Sequence, residues 1–116
     1  MDREHSPAYG ILRASARHVL RLVESEIAQQ GGGSAVIWND MLEHCGSRRV
    51  YLPALCELAG LGFITVERYP KKHLCGLADG WRQIGSMREA ALIAARARSQ
   101  PKQPVMMPPQ PASVSA

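Results

Sequence analysis

The segment Glu57-Leu58-Ala59-Gly60-Leu61-Gly62-Phe63-Ile64-Thr65-Val66 constrains this chain more than any other. An apolar helical face stops at glycine, which takes the left-handed conformation at a helix end without steric cost. Phenylalanine and β-branched residues follow at once, and these suit a pleated strand. The spacing therefore predicts a helix over about Arg48 to Leu61 that feeds directly into a strand over Phe63 to Arg68. Tyr69-Pro70-Lys71-Lys72-His73 is a polar turn, and Leu74 to Ala78 returns as the partner strand of a hairpin.

Upstream, Ala16, Val19, Leu20, Val23 and Ile27 recur at steps of three and four residues, the period of a helix with one buried stripe. That helix is expected from about Ala16 to Gln30, capped by Ser15 and stopped by Gly31-Gly32-Gly33. Ala35-Val36-Ile37-Trp38 reads as a short strand, and Asn39 and Asp40 as N-caps of a second helix, Met41 to His44, closed by Cys45-Gly46. In the third helix Leu52, Leu55, Cys56 and Ala59 fall on one face and Val50, Ala54 and Glu57 on the other. Pro53 lacks the N–H that an interior position needs, so the regular helix is expected to begin near Val50 or to kink at Leu52.

Ser86-Met87-Arg88-Glu89 has the form of a capping box and opens a fourth helix, Met87 to about Ser99, with an alanine-rich face. Beyond Gln100 the prolines at 101, 104, 108, 109 and 111 leave nothing to build a core from, and residues 100–116 read as a disordered Pro-rich tail. The chain thus divides into an N-terminal arm (1–14), a central domain (15–85), a C-terminal helix (86–99) and the tail. With 116 residues and 46% hydrophobic content there is material for one core. No apolar run approaches the roughly 20 residues that cross a bilayer, and Met1-Asp2-Arg3-Glu4-His5 lacks the apolar core of a secretory signal. A cytoplasmic location is expected. Cys45, Cys56 and Cys75 are odd in number and widely spaced, so they read as buried or half-buried free thiols.

The formal charge of +4 favours polyanionic partners, and its placement matters more than its sum. Arg48 and Arg49, with Tyr51 just beyond, stand at the positive end of the third helix dipole, where phosphate is attracted. Arginine forks match guanine edges and phosphates, and tyrosine commonly contacts backbone. The bland alternative is a solvated helix start with arginine paired to Glu43 or Glu57. Arg68, Lys71, Lys72 and His73 gather around the hairpin turn, within reach of phosphates; such lysines also guard a sheet edge against aggregation. Arg13, Arg17 and Arg21 form a stripe along the first helix, read as a wet face. Trp38, Trp81 and Tyr9 read as packing anchors. His18, His44 and His73 lack partners at ligand spacing, and no clustered acid, base or nucleophile can be assembled. No metal, cofactor or enzymatic activity is therefore expected.

Taken in order, the glycine-terminated helix, the short strand, Asn39-Asp40, Cys45-Gly46, Arg48-Arg49 leading to Pro53-Ala54-Leu55, and the Glu57–Ile64 run resemble the winged helix-turn-helix family over about Ser15 to Ala78. The chain is similar to small stand-alone bacterial and phage-related proteins of that class. The resemblance implies an α+β, mainly helical fold: a three-helix core with a small β-hairpin wing, here followed by a C-terminal helix. It also implies a recognition helix in the major groove of double-stranded DNA, headed by Arg48, Arg49 and Tyr51, with the wing at Pro70 to His73 beside it. After Arg49 that helix carries only neutral or acidic residues, which leaves few groups to read bases.

The expected function is that of a non-enzymatic DNA-binding protein, a transcriptional regulator or a replication or mobile-element accessory factor. The alternative is a winged-helix adaptor for protein partners whose Pro-rich tail docks one of them. A symmetric operator requires a dimer, and the alanine-rich C-terminal helix is the evident element for a homodimer.

Overall fold

The computed structural model describes residues 3–99, and the tail expected over 100–116 lies outside the described residues. The elements run α1 (Pro7–Gly10), α2 (Ala14–Gln30), β1 (Ser34–Trp38), α3 (Asn39–Leu42), α4 (Arg48–Gly60), β2 (Ile64–Arg68), β3 (Lys72–Leu77) and α5 (Met87–Arg98), with short 3-10 turns at Arg3–His5, Glu43–Cys45 and Gly80–Gln83. The result is an α+β arrangement of helices on one small antiparallel sheet, ordered β1-β3-β2. No helix among the described residues is long and apolar enough to cross a membrane.

α2 buries Ala16, Val19, Leu20 and Val23 as the periodicity requires and ends at Gly31, whose φ of 76° is left-handed. Its start differs from expectation. Arg13, not Ser15, is the N-cap residue and makes no side-chain cap. Instead, the carboxylate of Glu57 accepts from the Arg13 backbone N–H at 3.3 Å and from Arg13 Nε at 3.0 Å. Glu57 Oε1 also lies 3.2 Å from Nη1 of Arg98, in the last turn of α5. A negative charge at the start of one helix and a positive charge at the end of another are each on the favourable side of the helix dipole. Glu57 itself is 0% exposed, so this pair of guanidinium partners is what permits an ionised side chain there.

α4 is the central element, packed against α2 on one side and α5 on another. It starts at Arg48, two residues earlier than the proline argument suggested: the Ser47 carbonyl accepts from the Val50 and Tyr51 N–H groups at 2.8 and 2.9 Å. From Tyr51 to Leu58 every residue except Pro53 is buried. The division into one buried and one exposed face is thereby corrected, because Ala54 and Glu57 are as buried as Leu55. At its end Leu61 N–H donates to Glu57, Gly62 N–H to Ala59 and Phe63 N–H to Leu58. This is a glycine-centred C-cap with Gly62 at φ 83°. A Cβ on Gly62 would stand 2.6 Å from Gly80 Cα. Beside this corner Phe63 stacks on Trp81 (5.9 Å between ring centroids) and meets the edge of Tyr9 (6.2 Å).

α3 is a single turn that begins at Asn39, with Trp38 as the capping position, so Asn39 and Asp40 are its first residues and not its caps. Asn39 is occupied elsewhere: its N–H donates to Lys71 O (3.0 Å) and its Nδ2 to Pro70 O (3.3 Å), which ties the β1–α3 corner to the hairpin turn. α5 opens with the expected capping box, Ser86 Oγ accepting from Glu89 N–H, while Gly85 N–H donates to the Glu89 carboxylate. Part of its alanine face is covered within the chain: Ala90 and Ala94 are fully buried and Ala97 lies against Gly60, while Met87, Ala91 and Leu92 stay exposed. The segment from Ala8 to Leu12 also joins the body, since both residues belong to the same core as Ala90 and Ala94 of α5.

Gly62→Ala is expected to destabilise by about 3 kcal/mol, combining left-handed strain with a backbone clash. Glu57→Gln is expected to cost about 2 to 3 kcal/mol, because the charge-assisted bonds to Arg13 and Arg98 weaken while the polar group stays buried. Denaturant unfolding of each variant checks both. A midpoint within error of the parent for either would contradict the corresponding account.

Candidate nucleic-acid interface

The hairpin register follows from its hydrogen bonds. Tyr69 N–H donates to Lys72 O at the turn and Ala78 N–H to Phe63 O at the base, both at 3.0 Å. Arg68 pairs with His73, and on the other side of β3 Ile37 pairs with His73 and Trp38 with Lys72. Side chains alternate across a strand. His73 therefore shares the inner face with Cys75, Ala35 and Ile37, whereas Lys72 and Trp38 share the outer one.

Burial removes two of the seven expected contact residues, His73 through that alternation and Tyr51 through the packing of α4. His73 is 2% exposed and stands in the core layer. Tyr51, at 2%, continues the buried stripe of Leu55 and Leu58. Neither can touch a nucleic acid without local unfolding. Arg48 and Arg49 are exposed, and among the described residues neither side chain has an ion-pair or hydrogen-bond partner. Glu57, offered above as a carboxylate for them, is held by Arg13 and Arg98 instead.

The turn into α4 explains how Arg48 and Arg49 come to stand at a bare helix end. Gly46 has φ 136°, and a Cβ there would lie 2.8 Å from a Val50 methyl. Only glycine permits this tight approach. Ser47 then caps with its carbonyl alone, which takes the Val50 and Tyr51 N–H groups, so the N–H groups of Arg48 and Arg49 stay open at the positive end of the helix.

Arg48 and Arg68 both act on His73. Burial first, then the Arg68 charge, then that of Arg48, lowers the imidazole to about 4. Both ring nitrogens lack a hydrogen-bond partner among the described residues. The charges of Arg48 on α4 and Arg68 on β2 are thus both felt at one inner-face residue of β3. Lys72 turns the other way. Its ammonium lies 5.4 Å from the centroid of Trp38 and 5.5 Å from that of Tyr69, distances at which a cation is attracted to a ring face. The Tyr69 hydroxyl donates to Glu67 at 3.2 Å.

Trp38 and Tyr69 are the contact candidates that the sequence reading missed. Trp38 was assigned to packing, yet it is 50% exposed, and Tyr69 is 45% exposed. The period-two pattern of β1, with Ala35 and Ile37 inward, was the available signal for Trp38. Trp81, by contrast, is buried against Phe63 as an anchor should be. On α2 the arginine stripe is partly engaged internally: Arg13 binds Glu57, and Arg17 donates to Tyr9 O at 3.2 Å and lies over its ring. Cys56 and Cys75 are buried free thiols and Cys45 is half-buried. Burial raises all three, Cys75 to about 12.

Comparison with protein families, curated proteins and solved structures gave no match to this chain.

The depressed His73 sets a pH dependence. Its folded-state value of about 4 lies below the ordinary 6.5, so the unfolded chain binds the proton more tightly across that interval. Stability is therefore expected to fall as pH drops from about 6.5 to about 4. In His73→Leu that slope should flatten, with other acid-sensitive groups unchanged. Thermal unfolding followed at intervals across that range checks it; parallel profiles for the two proteins would show that His73 does not carry the effect.

Proposed function

We propose that this chain is a non-enzymatic, cytoplasmic DNA-binding protein of the winged helix-turn-helix class, acting as a transcriptional regulator or as a replication or mobile-element accessory factor. One observation carries the reading. The open N-terminus of α4 presents Arg48 and Arg49 without carboxylate partners among the described residues, next to a hairpin that bears Arg68, Lys71 and Lys72. The element order helix, strand, helix, helix, strand, strand and the sheet order β1-β3-β2 support the class.

Burial of α4 from Tyr51 to Leu58 restricts how it meets a duplex. The helix enters a groove end-on, through its first turn, and does not lie along it. Base reading then falls to Arg48 or Arg49, and most of the affinity comes from phosphate neutralisation by the hairpin cations. Trp38 and Tyr69 add apolar surface that packs on sugar or an unstacked base. The same burial favours a second reading, a winged helix that binds protein, because few side chains remain to discriminate sequence.

Duplex binding measured across a salt series separates the two. Arg49→Ala is expected to weaken a preferred site by about 1 to 3 kcal/mol, the worth of a bidentate base contact. Lys72→Ala should weaken all sequences alike and reduce the salt slope by about one. Identical behaviour of the two variants overturns this division of roles, and the absence of any sequence preference at physiological salt transfers support to the protein-binding reading.

A further inference from the structure

The outer face of the sheet carries a row that crosses all three strands. Trp38 of β1 stands opposite Lys72 of β3, and Tyr69 N–H donates to Lys72 O where β2 runs into the turn. The Lys72 ammonium lies 5.4 Å from one ring centroid and 5.5 Å from the other, so both rings stand on its side of the sheet. Two strand spacings put the backbones that bear the rings about 10 Å apart, with the cation between them. The row is pinned from both ends. Asn39, next after Trp38, holds the carbonyls of Lys71 and Pro70 at 3.0 and 3.3 Å, and the Tyr69 hydroxyl is held by Glu67. The rings therefore keep their spacing before anything binds.

A ring that serves packing is covered, as Trp81 is at 6% exposure; Trp38 and Tyr69 keep about half of their surface in solvent. The next row is Val36, Leu74 and Glu67, and the one after it Ser34, Gly76 and Thr65. Half-buried Val36 and Leu74 extend the apolar surface. Glu67 is the one carboxylate in these rows and is engaged by Tyr69, while Lys71 and Lys72 place positive charge at the turn. A matching partner offers flat π faces to the rings and anions to the lysines. A duplex keeps its base faces inside the stack, and an acidic peptide has the charge without the faces. An unpaired nucleic-acid strand has both at every nucleotide.

We propose that the row Trp38, Lys72, Tyr69 is a binding site for single-stranded DNA, with one base stacked on each ring and the phosphates between them neutralised by Lys71 and Lys72. Stacking accepts any base, so the site reads no sequence. Val36 and Leu74 beside the rings carry no group to bond a ribose hydroxyl, and deoxyribose loses nothing there. The site is separate from the end of α4. Resting on the duplex reading for that helix end, it gives the chain one contact for paired and one for unpaired DNA, which suits the border of an opened duplex and favours the replication or mobile-element role.

Tryptophan emission of the full chain reads the site, because Trp38 is one of two tryptophans and the other is buried. Titration with an oligothymidylate of about ten nucleotides should quench it, and Trp38→Leu should abolish the quench. Affinity for the labelled oligonucleotide should fall about fivefold or more in Trp38→Leu and in Tyr69→Ala, while Tyr69→Phe, which keeps the ring, retains it. Arg49→Ala should weaken duplex binding and leave oligothymidylate binding as in the parent. No quench in the parent overturns the proposal, as does unchanged affinity in both ring variants. An equal quench by dextran sulfate, which has charge and no bases, overturns it too, and tighter binding of oligouridylate replaces DNA by RNA. A parent that binds oligothymidylate but no duplex would sink the duplex reading and leave this site standing.

Discussion

The carboxylate of Glu57 is the point at which three helices are fastened. It sits in the last turn of α4 with no exposure, meets the backbone and side chain of Arg13 at the head of α2, and reaches Arg98 at the foot of α5. A lone carboxylate in that position would cost several kcal/mol of lost hydration. Two guanidinium partners offset that cost, and they do so only when all three helices are in register. The interaction is thus more specific than strong: sliding any helix by one turn leaves a buried charge unpaired.

Fastening α4 on several sides determines what the helix can do outside. With Tyr51, Ala54, Leu55 and Leu58 all in the core, its middle has no free face, and the chemistry available to a partner is concentrated in the first turn. Gly46 makes that turn accessible by letting the chain double back against Val50. The hairpin then lies close enough for the Arg48 charge to be felt at His73. On the proposed reading, the functional surface is the end of a helix plus the end of a hairpin, with the arginines acting through reach and charge.

Local signals were legible in the sequence because their physics is local. The glycine that ends α4, the capping box of α5, the apolar stripe of α2 and the hairpin turn each depend on a few neighbouring residues, and all appear close to where they were expected. Tyr51 and His73 were misplaced for a different reason. Their burial depends on what packs over α4 and on which face of β3 the register turns inward, and neither is encoded within one turn of chain. Trp38 failed in the opposite direction, since a large aromatic was weighed above the alternation of its own strand. The role of Glu57 was hidden most deeply. Its partners lie 44 and 41 positions away, counting from Arg13 and to Arg98, and a helical stripe alone made it look solvent-facing.

A three-stranded sheet has two edges, and a small protein must deal with both. Along β1 the last residue of α2 does so with a single amide, because Gln30 is already held beside Val36 by the connection through the glycine turn. No residue of α4 can serve β2 in the same way: Cys56, Ala59 and Gly60, which face that edge, are small and carry no amide side chain. At Gly60 the smallness is imposed by the packing of α5, whose Ala97 approaches too closely for a larger residue. The close approach of α4 and α5 thus leaves an open groove beside β2. β2 also carries Arg68 at its far end, where its charge and that of Arg48 both reach His73.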